Sequence, residues 1–167
     1  MEAKITEKGP KASGVLVGEA IYADNLKNRL LRRVGKVAHR QVSGNIVVDI
    51  GETMMALWHK GDFTTKGYIT HMSLSDETAD PAESETTETG TNIGPRKAMT
   101  SSTVSGNKIT NIAEWAEAEA NYTIRRAYLF TAASGGYLFA TAKFTTPFPK
   151  TSDFMYRVTW EETYEQP

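Results

Sequence analysis

The clearest regularity in the chain lies near its end, where Phe154, Tyr156, Val158 and Trp160 alternate with Met155, Arg157, Thr159 and Glu161. A period of two puts the first set on one face of a strand and the second on the other, so one face is buried and one is wet. The same reading predicts strands over residues 100–104 and 108–115, joined at Ser105-Gly106-Asn107. It also predicts strands over 123–131 and 137–145, joined at Ser134-Gly135-Gly136. Pro147-Phe148-Pro149 removes ladder donors and marks an edge or a crossing. Residues 68–74 alternate as well and predict one more strand.

The N-terminal third reads differently. Leu26, Leu30, Leu31 and Val34 fall on one face of a short helix that Asp24 would cap and Gly35 would end. Residues 45–60 place Ile46, Ile50, Met54, Leu57 and Trp58 on one stripe, with Gly61 as the stop, so a second helix covers a sheet. Residues 1–18 lack helical periodicity and have little to bury, which predicts an extended arm that orders on docking. Residues 19–167 then form a single β-rich domain with a long acidic loop at 75–95. The expected class is mostly β (α+β): an antiparallel β-sandwich with one or two short N-terminal helices.

Composition narrows the function more than it names it. The chain has 167 residues, 40% of them hydrophobic, enough for one core and too many for wholesale disorder. The absence of cysteine excludes a disulfide scaffold, a thiolate metal site and a thiol nucleophile. No run reaches the length of a membrane span, and the first ten residues are polar rather than signal-like.

Net charge is −1 overall, which argues against nucleic acid as a partner, but it is unevenly spread. Residues 1–44 hold nine basic and four acidic side chains, a net of +5, and residues 45–95 hold two basic and nine acidic, a net of −7. Arg29, Arg32, Arg33, Lys36 and Arg40 are the basic cluster; Asp76, Glu77, Asp80, Glu83, Glu85 and Glu88 are the acidic one. The two sets are expected to meet across a subunit interface.

No catalytic constellation emerges. His39, His59 and His71 lack metal-ligand spacing, and no nucleotide, hydrolase or metalloprotease motif is present. Glu114, Glu117 and Glu119 have no apolar pocket to separate their acidities, so a glycosidase pair is not expected. Trp115 and Tyr122 lie near loops, where an aromatic face can stack on a host glycan. The expectation is a protein that is not an enzyme and has no cofactor, no metal and no membrane partner.

One resemblance sharpens this. Leu74 to Gly90, then Arg96, Thr103-Val104-Ser105-Gly106-Asn107 and Glu119-Ala120-Asn121-Tyr122-Thr123-Ile124 follow one another in a characteristic order. Leu129-Phe130-Thr131-Ala132-Ala133-Ser134-Gly135-Gly136, Phe144, Lys150-Thr151 and Val158-Thr159-Trp160 continue it. Together with the helical pattern before Trp58, about residues 45–163, this order resembles tailed-bacteriophage virion structural proteins of the tail-fibre-like or neck–tail accessory kind. The chain departs from them at Arg126 and Tyr128, and its segment before Gly44 has no counterpart. The resemblance implies a non-enzymatic virion component of the tail, neck or fibre, assembled in the host cytoplasm. It would work through arm and sheet-edge contacts with other virion proteins and with copies of itself in a symmetric homo-oligomer. A capsid decoration (cement) protein and a glycan-binding host-recognition module are the alternatives.

Overall fold

A computed structural model describes residues 12–164. Its strands are β1 (Ala12–Tyr22), β2 (Val37–Gly44), β3 (Ile46–Val47), β4 (His71–Ser75), β5 (Lys97–Ala98), β6 (Ser101–Ser105), β7 (Lys108–Trp115), β8 (Thr123–Phe130), β9 (Leu138–Pro149) and β10 (Phe154–Tyr164). The helices are α1 (Leu26–Leu30) and α2 (Asp49–His59). All the strand pairs are antiparallel and make two five-stranded sheets, β2-β1-β10-β7-β6 (sheet A) and β3-β9-β8-β4-β5 (sheet B). The mostly-β sandwich expected from the alternation is what forms.

The core lies between the sheets. Leu16, Ala20, Ala113, Trp115, Tyr156, Val158 and Trp160 of sheet A meet Met72, Leu74, Ala127, Leu129, Ala140 and Ala142 of sheet B. Sheet A is buried on this face alone, and β7 and β10 alternate between buried and half-exposed positions. Sheet B is buried on both faces: Val48, Tyr128, Phe130 and Leu138 form a second apolar cluster on its far side. α2 packs on β9 and stacks Trp58 on Phe139 with ring centroids 5.6 Å apart.

Four expectations need correction. Residues 12–18 of the expected arm are the first half of β1, a strand held between β2 and β10; residues 1–11 lie outside the described residues. The inward positions of that half are Gly14, Leu16 and Gly18, so two of the three show no hydrophobic signal. Glycine is required at both. A Cβ on Gly18 would lie 2.2 Å from the Tyr156 hydroxyl, and one on Gly14 would run into the Asn45 side chain. Gly18→Ala is therefore expected to cost about 2 kcal/mol, because Tyr156 must leave its bond to Gln41 to make room. Urea unfolding reads it, and a variant indistinguishable from the parent would show that the approach is not tight.

The first helix is only five residues long, and its N-cap is Asn25, not Asp24. The second begins at Asp49, because Ile46 and Val47 pair with Thr141 and Ala140 as β3 instead. Asn45 is the point where the chain leaves sheet A and enters sheet B. Finally, β9 runs through Pro147 and Pro149 and passes beside β2: the Thr145 hydroxyl donates to the Val42 carbonyl at 3.3 Å.

Candidate functional site

The acidic loop is folded onto its own domain. Asp76 accepts from the backbone N–H groups of Thr91 and Asn92, both at 2.9 Å. Glu77 accepts from the N–H groups of Thr78 and Ala79, which helps hold its carboxyl below the usual range. Asp80 pairs with Lys143 at 2.7 Å. Glu85 pairs at 2.6 Å with Arg126, whose side chain is 1% exposed. Glu88 pairs with Arg96 at 2.6 Å. Burial raises the Glu88 carboxyl, but the hydrogen bonds from Arg96, from its own backbone N–H and from Thr87, with the Arg96 charge, together outweigh it and the net shift is downward. Arg96 in turn lies 3.5 Å over the Phe130 ring and donates to the Ala132 carbonyl. Glu83 contributes its backbone carbonyl, which accepts from Asp49 N–H at 2.8 Å. Through Glu85 and Asp80 the loop is fastened to Arg126 and Lys143 of sheet B.

The basic cluster divides. Arg29 pairs with Asp24, holding that carboxyl below its ordinary value, and Arg40 lies 3.4 Å from Glu19. Arg33 stands 5.3 Å over the Tyr22 ring. Arg32 and Lys36 are exposed and form no ion pair among the described residues. Basic cluster and acidic loop therefore do not meet within the chain.

What surrounds the basic cluster is a projection at the end of the sandwich. Asn25 accepts from the N–H of Asn28 at 2.9 Å, which starts α1. Asn28, 1% exposed, donates to the carbonyls of Ala23 and Asp153 and staples the helix to the end of the sandwich. Arg32, at φ 54°, turns the chain back. Asn28 thus takes the one buried position of α1, and the leucines are left outside: Leu26 is 74% and Leu30 75% exposed. Leu31, Val34 and Val37 are exposed beside them. Large apolar side chains held this far out, bordered by Lys27, Arg29, Arg32, Arg33 and Lys36, are the composition of a docking surface.

The aromatic residues offered as sugar platforms fare differently. Trp115 is fully buried and donates its indole N–H to the Pro95 carbonyl at 3.2 Å, so it presents no face. Tyr122 is half-buried, donates to the Leu74 carbonyl at 2.8 Å, and lines a polar cleft of about 630 Å³ with Asp76, Asn92 and Arg125. Burial pushes its hydroxyl well above the ordinary tyrosine value. Glu114 pairs with Arg157 and Glu119 with Lys97, each at 2.7 Å.

Among the described residues no group of three or more His, Asp or Glu side chains is placed to hold a metal, and no helix is long and apolar enough to cross a membrane. Of the sheet edges, β2 is flanked by β9, whereas β6 runs along the outside with Ser102 to Ser105 exposed and neither charge nor proline to block pairing. Compared with protein-family models, with curated proteins and with solved structures, the chain matches none.

Proposed function

We propose that this chain is a non-enzymatic structural component of a tailed-bacteriophage particle, in the tail, neck or fibre region, and that it docks on neighbouring virion proteins through the α1 projection. The observation that carries the reading is the pair Leu26 and Leu30, exposed on a helix whose only buried side chain is a polar staple. Leucines at such positions add nothing to the isolated fold and cost solubility; their burial against a partner would stabilise by about 2 kcal/mol each. The surrounding cations would select a partner with an acidic rim and raise the association rate. The order of motifs from Leu74 to Trp160 supports the virion context by resemblance. The uncharged edge of β6 offers a second contact, by strand addition.

Leu26→Asp combined with Leu30→Asp tests the reading. Both side chains lie in solvent, so the variant is expected to fold with unchanged thermal stability. Expressed in cells that produce the parent particle, it is expected to fall at least tenfold in purified particles by immunoblot. Undiminished incorporation would remove the projection from the assembly. Recovery of the parent chain in heads rather than tails would move the reading to a decoration protein, and its absence from particles would end the virion assignment.

A further inference from the structure

The two sheets differ in what covers them. The far face of sheet B is covered by the acidic loop, held there by Arg126 and Lys143, whereas the far face of sheet A has no such cover among the described residues. The exposed face of sheet A is not the random polar surface of a wet sheet. One cross-strand row reads Val42, Val17, Thr159, Ile112 across β2, β1, β10 and β7. The next row along the strands reads Arg40, Glu19, Arg157, Glu114, and beyond it lie Val37, Ile21 and Met155. Val42 is 44% and Val37 52% exposed, as is Val15 at 44% on the other side of the apolar row. Glu161, beside Val15, is already paired with Lys108 at 3.0 Å.

The charged row has a symmetry that decides its partner. Rotation by 180° about an axis lying in the interface, parallel to the strands and between β1 and β10, reverses the row's order. Arg40 then faces Glu114 of the second copy, and Glu19 faces Arg157, each interaction occurring twice. The same rotation sets the row Val42, Val17, Thr159, Ile112 against its own reverse, which is apolar against apolar except at Thr159. From the geometry we infer that the exposed face of sheet A is the isologous interface with a second copy of this chain.

The area is sufficient. Under that rotation four of the five strands, β2, β1, β10 and β7, face their counterparts; about 4.8 Å apart and about eight residues long, they cover roughly 500 Å². Two copies then bury roughly 1,000 Å², the threshold for a specific interface of good complementarity. Two sheets of matching twist pack face to face in aligned fashion, as sandwiches do internally.

The test uses complementary charge reversal with the whole chain in analytical ultracentrifugation. The parent is expected to dimerise at concentrations on the order of 100 µM or below. Arg157→Glu sets Glu19 against an acidic residue, and Glu19→Arg sets Arg157 against a basic one. Each variant alone is expected to dimerise roughly a hundredfold more weakly. Mixed together, the two regain parent-like association, because every facing pair is again opposite in sign. That restoration is specific to the proposed axis. A parent that stays monomeric overturns the inference, as do single variants that dimerise like the parent or a mixture that fails to associate. Should either variant lose its near-UV circular dichroism, Val42→Lys, at an exposed position of the same face, replaces it, and parent-like dimerisation of that chain overturns the inference equally. The readout is independent of α1, so this result and particle incorporation can fail separately.

Discussion

Replacing Arg126 with methionine is expected to lower stability by about 4 kcal/mol in urea unfolding. The guanidinium sits on the far face of sheet B, where it donates to Glu85 and to the Thr141 hydroxyl, both at 2.6 Å. Removing it leaves the Glu85 carboxylate largely enclosed without a counter-charge, and that uncompensated charge is the main source of the loss. The acidic loop should loosen at the same time, since Glu85 is one of its anchors. Amide exchange is expected to quicken around Glu85 while β1 and β10 keep their protection. Adding Glu85→Gln to the methionine variant is expected to recover much of the loss, as an apolar side chain beside a neutral amide no longer strands a charge. A single variant within 1 kcal/mol of the parent would mean that water, not Arg126, satisfies the carboxylate.

Glu162→Gln is expected to act in the opposite direction, and only above mildly acidic pH. Glu162 is 1% exposed on the inner face of β10, opposite Gly14 and Ile109. One carboxyl oxygen accepts from the Tyr164 hydroxyl at 3.2 Å, and the other has no partner among the described residues. Burial pushes the group up to about 7 despite the Tyr164 hydrogen bond, from an ordinary value of 4.5. Between those two values the folded chain holds a proton that the unfolded chain has released. Stability contributed by the neutral form is thus complete below 4.5 and lost as pH rises through about 7. The loss amounts to about 3 kcal/mol. The glutamine variant should therefore match the parent near pH 4 and exceed it by about 3 kcal/mol near pH 8. An equal difference at both pH values would show that the gain comes from packing.

Local pattern was most readable where side chains obey the usual rule of apolar inside and polar outside. β10 does so along most of its length, and β7 nearly so, and both were legible. β1 was not, because close approach by Tyr156 and Asn45 demands glycine at two of its inward positions. β2 inverts the rule: its inward residues are His39, Gln41 and Ser43, while Val37 and Val42 face solvent. Gln41 belongs inside only because the Tyr156 hydroxyl, more than a hundred residues away, receives its N–H at 2.6 Å. The acidic loop is held by Arg96, Arg126 and Lys143, so its order is a property of distant pairs rather than of its own composition. For α1 the leucine spacing shows a short helix but not the fate of its apolar face, since nothing in a short periodic segment shows whether a surface lies opposite it. Those leucines are the residues on which the docking proposal rests.

The α1 projection is attached at the Tyr22 end of β1, opposite the end where Ala12 pairs with Tyr164. A rotation axis parallel to the strands leaves height along them unchanged. In a pair of chains built on sheet A, both projections would thus leave from the same pole, side by side and pointing the same way. Such a pair is bivalent: once one projection seats on a lattice of identical receptors, the second binds at an effective concentration in the millimolar range. Weak individual contacts would then suffice for lasting attachment, and a single chain with only one seat filled would readily come away.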